Sequence, residues 1–118
     1  MELKGDAKLV RIFIGEADII HHIPVYEKIV QEARKLHLAG ATVFKGIMGY
    51  GGTSRIHTSK ILRLSEDMPI VIEIVDEEEK INNFLPVLHD IFEEAKCGGL
   101  ITMEKAEIIK YVVGDKKN

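Results

Sequence analysis

The sequence has no tryptophan, one glutamine (Gln31), one cysteine (Cys97) and three prolines among 118 residues. A single cysteine excludes an intrachain disulfide and any cysteine-rich zinc site. Charge of one sign is also missing: 16 basic residues face 19 acidic ones, for a net charge of -3 and a pI near 5.9. No global basic field therefore draws the chain to nucleic acid or to an anionic membrane. No apolar run approaches the ~20 residues that span a bilayer. The opening Met1-Glu2-Leu3-Lys4-Gly5-Asp6 is charged where a signal peptide needs an apolar stretch. Few amides beside many Lys and Glu is the direction that hyperthermophilic proteins take, so a thermophile is the expected source. These exclusions leave one soluble, cytoplasmic domain over residues 1–118, with an ordered core over about 8–113 and a frayed tail from 114.

What is present is a regular alternation of elements. Residues 8–15, Lys-Leu-Val-Arg-Ile-Phe-Ile-Gly, read as a buried strand. Pro24 suits the first turn of a helix, and Tyr26, Ile29, Val30, Ala33 and Leu36 form one apolar face at helical spacing. Gly40 is the expected C-cap, and His37 is expected on the helix surface. A second strand is expected over 41–46 and a third over 70–75, opened by Pro69. Asp76 with Glu79 has the spacing of a capping box. Ile81, Phe84, Leu85, Leu88, Ile91, Phe92 and Ala95 then continue a helical face, with Pro86 as a kink or a break. Cys97-Gly98-Gly99 ends that helix, a fourth strand is expected over 100–104, and a short fifth over 108–113. The order βαββαβ predicts a ferredoxin-like α+β fold: a four-stranded antiparallel sheet with two helices on one face. The third strand is apolar except for Glu73, so it wants cover on both faces, which argues for an oligomer.

Residues 48–68 between strands two and three are not explained as scaffold. Structureless loops beyond ~12–15 residues are uncommon in compact domains and are usually functional or disordered. This one begins Met48-Gly49-Tyr50-Gly51-Gly52-Thr53-Ser54-Arg55-Ile56-His57. Its glycines permit positive φ and close backbone approach, and successive N–H groups can cradle an anion. Thr53 and Ser54 add hydroxyl donors, and Arg55 adds a bidentate fork, with Lys60 and Arg63 beyond. Residue types alone leave a plainer reading open, in which the glycines only turn the chain and the cations are solvated. No Walker or Rossmann glycine pattern is present.

The stretch from Val43 to Val75 resembles the PII signal-transduction proteins. It carries a glycine-aromatic-glycine turn (Gly49-Tyr50-Gly51), a loop histidine (His57), and the strand Ile70-Val71-Ile72-Glu73-Ile74-Val75. Phe44-Lys45-Gly46-Ile47-Met48-Gly49-Tyr50-Gly51 and Val75-Asp76-Glu77-Glu78-Glu79 are similar to an uncharacterised PII-like branch, one of the numbered domains of unknown function. The resemblance implies a homotrimer that holds an adenine nucleotide between subunits and signals through its loop to a membrane transporter or an enzyme. It maps the ligand-binding residues to Gly49, Tyr50, Gly51, Gly52, Thr53, Ser54, Arg55 and His57, and to Lys96, Gly98 and Gly99 around Cys97; basic residues near the C-terminus are also implied. Thr53 stands where the family has a glutamine, and Leu100 where it has a phosphate-binding lysine. AMP or ADP therefore fits this donor set better than ATP, and no obligatory cofactor is implied.

His21-His22 with His57 has no carboxylate spacing that completes a metal motif, so no metal site is expected. Cys97 has no histidine near it in sequence, and no acid–base pair or triad marks an enzyme. The alternative function is a structural or divalent-metal-handling trimer of the same fold, resembling the divalent-ion tolerance proteins and lacking a nucleotide site.

Overall fold

The computed structural model describes residues 5–52, 56–58 and 67–115. The chain runs β1 (Gly5–Gly15), β2 (Ile19–Ile20), β3 (Ile23–Pro24), α1 (Val25–Lys35), β4 (Thr42–Lys45), β5 (Met48–Gly49), β6 (His57–Thr58), β7 (Pro69–Asp76), α2 (Glu78–Ala95) and β8 (Leu100–Ile108). β4, β7, β1 and β8 form one sheet in that order, and every pairing is antiparallel. This is the expected ferredoxin-like α+β architecture.

Alternation divides the two central strands between two faces. On one face Val10, Ile12 and Ile14 of β1 and Ile70, Ile72 and Ile74 of β7 are buried. They pack with Val25, Ile29 and Ala33 of α1 and with Ile81, Phe84, Leu88 and Ile91 of α2 in one core. Each of the Val, Ile, Leu and Phe side chains contributes roughly 1.5–3 kcal/mol by leaving water, before the entropy cost of ordering it. Among the described residues no helix lies on the other face. There Phe44, Val71, Phe13 and Leu100 are register partners in one row across all four strands. The edge members are open, Phe44 at 49% and Leu100 at 55% exposure. The next row is Thr42, Glu73, Arg11 and Thr102. Arg11 Nε donates to Glu73 Oε2 at 2.9 Å, and its Nη1 donates to Glu104.

Several details depart from the pattern in the sequence. A hairpin, β2–β3, precedes α1, and its turn residues His21 and His22 both have positive φ (46° and 71°). Two left-handed residues are what a two-residue type I′ turn requires. Pro24 is the N-cap of α1 rather than a residue inside it. The helix stops at Lys35, so His37 is not on it; His37, with φ 60°, takes the left-handed position expected of Gly40. Leu36 lies past the helix end and is exposed. The N-cap of α2 is Glu77, not Asp76, and its side chain makes no capping bond. Asp76 instead accepts from the Ala39 and Glu77 amides. α2 runs unbroken through Pro86. β8 extends to Ile108, and residues 109–115 form no fifth strand. Among the described residues no helix is long and apolar enough to cross a membrane.

Candidate functional site

The first candidate surface lies at the end of the sheet where β1 and β4 finish and β7 and β8 begin. Residues 48–68 are not wholly a loop: Met48 pairs with Thr58 and Gly49 with His57, which makes β5–β6 a short antiparallel ladder. Among the described residues the only glycine with positive φ is Gly5, so Gly49, Gly51 and Gly52 do not use the left-handed freedom expected of them. Crowding decides two glycines here. A Cβ on Gly46 would come within 2.8 Å of Pro69 Cγ, and one on Gly49 within 3.2 Å. Gly51 and Gly52 face open space, and Tyr50 is 71% exposed. Thr53, Ser54 and Arg55, together with Lys60 and Arg63, lie outside the described residues.

The second glycine segment follows α2. Lys96 closes the helix in the left-handed conformation (φ 53°), its amide donating to Glu93 O at 3.2 Å. Gly98 has open space around it. Gly99 is required by packing, because a Cβ there would lie 2.6 Å from the Phe13 carbonyl oxygen and 2.7 Å from Phe92. Cys97 is half-buried, and burial, then the Asp18 charge, push its thiol up from the ordinary range. A raised thiol carries little nucleophilic thiolate at neutral pH.

Register shows how these two segments stand to each other. Lys45, Ile70 and Ile14 form one row, and Leu100 pairs with Phe13. The glycine turn and the 96–99 segment are therefore at the same end of the sheet but at its opposite edges. Three strand spacings separate those edges, roughly 14 Å. The turn after β1 bridges the gap. Glu16 N donates to Met68 O at 2.8 Å, Ala17 N to Asp67 Oδ1 at 2.8 Å, and Glu16 pairs with Lys45 Nζ at 3.0 Å. Asp18 accepts from Gly15 N at 2.9 Å. Burial raises the Asp18 carboxyl above its ordinary range, the Gly15 bond opposes this, and Asp67 adds to it.

A second surface was missed in the sequence. At the other end of the sheet, on the face without helices, lies a cavity of about 560 Å³. Its walls are residues 39–41 of the α1–β4 connection, Thr42 of β4, Glu73 and Val75 of β7, and the residues from Glu107 to Tyr111. That volume is within the range of small-molecule sites, ~300–1,000 Å³. Tyr111 reaches the α1–β4 connection, its hydroxyl donating to Ala39 O at 3.3 Å. Ala39, Gly40, Ala41 and Tyr111 also line a neighbouring cavity of about 470 Å³ beside Arg34 and His37. Lys110 was the available signal, a cation near the C-terminus inside a run that reads as a strand.

Among the described residues no three His, Cys, Asp or Glu side chains gather as metal ligands. His21 is engaged with Glu94 of α2.

The family model DUF190, an uncharacterised ACR, matches residues 7–108. The chain belongs to the DUF190 family. A UPF0166 protein of Aquifex aeolicus is 42% identical over 102 residues, covering 86% of this chain and 92% of its own length. Among solved structures, the nitrogen regulatory PII-like protein CPII of Thiomonas intermedia K12, bound to ADP, AMP and bicarbonate, superposes with a TM-score of 0.67. The match spans 89% of this chain and 90% of that one at 19% identity. The divalent ion tolerance protein CutA1 of Ehrlichia chaffeensis also shares the fold, at a TM-score of 0.55 and 10% identity over 94% of this chain and 88% of that one. The DUF190 fold of this chain is thus PII-like, and likeness at these identities speaks of fold alone.

Proposed function

We propose that this chain is a PII-like regulatory protein, not an enzyme, that assembles as a homotrimer and holds AMP or ADP, in preference to ATP, in the cleft between subunits. The observation that carries the reading is the placement of two incomplete surfaces at opposite ends of one sheet. The glycine segments offer backbone but no enclosure, and the cavity at the far end is open on the helix-free face. A head-to-tail ring of copies brings one end of each subunit against the other end of the next, and such a ring closes without leaving a free surface of this kind. The apolar row Phe44, Val71, Phe13 and Leu100 supplies surface for that contact.

Charge gives the ligand a direction. Glu73 and Glu107 on the cavity wall offer acceptors for ribose hydroxyls or an exocyclic amine, with Glu73 already paired to Arg11 and with Lys110 as the one cation of the lining. In the glycine segments the Lys96 and Cys97 amides are taken up by the end of α2, which leaves the N–H groups of Gly98 and Gly99, with those of Gly51 and Gly52, as the ones to offer phosphate. The nucleoside end therefore belongs in the cavity and the phosphates at the neighbour's glycine end. That CPII binds ADP and AMP on a similar fold supports the ligand class. The metal-handling alternative has no ligand cluster among the described residues in its favour.

Calorimetry tests the reading. AMP and ADP are expected to give saturable heats with at most one site per chain, and ATP a weaker one. Saturable binding of divalent copper or zinc, with no heat from any adenine nucleotide, overturns it in favour of the alternative.

A further inference from the structure

One wall of the cavity is not built from a strand or a helix. Residues 39–41 belong to the connection between α1 and β4, and something has to hold them against the sheet. We infer that Asp76 is the positioning residue that fixes this wall for the nucleoside end of the ligand, an inference that rests on the reading proposed above.

Asp76 is fully buried, at 0% exposure, which is rare for a carboxylate unless each oxygen is satisfied. Here each oxygen has a backbone partner. Oδ1 accepts from Glu77 N at 2.7 Å, and Oδ2 accepts from Ala39 N at 2.8 Å. The adjoining N-terminus of α2 favours a negative charge at this point. The first bond is local, to the amide of the next residue. The second runs to a residue 37 positions earlier in the chain, on the connection itself. Ala39 then lines both cavities, and its carbonyl accepts from the Tyr111 hydroxyl. Asp76 also ends the strand that places Glu73 and Val75 on the same wall. One carboxylate thus ties β7 and the start of α2 to the α1–β4 connection, and through Ala39 to the C-terminal segment. An asparagine cannot do the same, because its amide nitrogen would meet one of the two N–H groups donor to donor.

Calorimetry with AMP and with ADP on wild type, Asp76→Asn and Tyr111→Phe decides the matter, at a temperature where melting curves show each protein fully folded. Asp76→Asn is expected to weaken both nucleotides by the same factor, roughly tenfold, the size of one lost ordering hydrogen bond. Equal loss for the two is the signature of the nucleoside end, since they differ only in phosphate. Unchanged affinity with a lowered melting temperature makes Asp76 a stabilising residue and overturns the inference. A loss confined to ADP overturns it as well. Should Asp76→Asn fail to fold, Tyr111→Phe decides. A weakening of roughly threefold for both nucleotides supports the same wall, and wild-type affinity overturns it. If wild type binds neither nucleotide, the proposed function falls first and takes this inference with it. If wild type binds and the variants bind equally well, only this inference falls.

Discussion

The two faces of the sheet are made from the same four strands and end in opposite conditions. On the helix side Val10, Ile12 and Ile14 of β1 and Ile70, Ile72 and Ile74 of β7 are buried almost without remainder. On the other side the alternate positions carry Phe13, Val71 and Val75, as apolar as their counterparts, yet they share the face with an Arg11–Glu73–Glu104 network and with the exposed Phe44 and Leu100. Apolar content alone does not decide burial. The covered face is finished by the chain's own helices, whereas among the described residues no helix lies over the apolar positions of the open face. Such a face is finished by another molecule, here a further copy under the proposed assembly.

The most forceful way to break this comparison is to weaken the finished face. Ile72→Ala is expected to cost about 2–5 kcal/mol of stability, as buried large-to-small changes do, and chemical denaturation at fixed protein concentration measures it. On the open face, Phe44→Asp is expected to act differently. Secondary structure by circular dichroism should stay unchanged, and light scattering at micromolar concentration should show the mass falling toward one chain. A wild-type mass for that variant would refute assembly through this face. The smallest effect is at the sheet end, where Asp18 sits half-buried. Its folded carboxyl titrates above the ordinary aspartate range. The folded state therefore holds more protons than the unfolded one over that window, and stability falls as pH rises through it. Asp18→Asn should remove that fall. Glu32 gives the opposite slope as an internal contrast. Lys35 first, and Lys28 as well, hold its carboxyl below the ordinary range despite some burial, so its contribution is lost as pH falls.

The apolar faces of the helices were legible in the sequence because periodicity records burial directly. Ile81, Phe84, Leu88 and Ile91 recur at helical spacing, whereas the third strand reads as apolar but for Glu73 and does not by itself say which side the helices cover. Boundaries set by a single residue's conformation were not legible. His37 rather than Gly40 takes the left-handed position, and two histidines make the tight turn of β2–β3, since tertiary pairing can impose a φ that propensity disfavours. Asp76 has the local spacing of a cap, but its partner Ala39 is distant in sequence, and no local pattern registers such a bond. The glycine end of the candidate site was marked by composition. The cavity at the other end was not, because Ala39, Glu73 and Tyr111 come from three separate parts of the chain.

The sheet order also bears on time. β1 leaves the ribosome well before both of its neighbours, β7 and β8, which come from the second half of the chain. At a synthesis rate of ~5–20 residues per second it waits several seconds for either partner. During that wait its Ile- and Val-rich backbone edges are unpaired on both sides, which is the condition in which nascent strands are drawn into wrong pairings. The ring closures that end the wait span most of the polypeptide, so acquisition of the native sheet is slow compared with that of a helical bundle of this length.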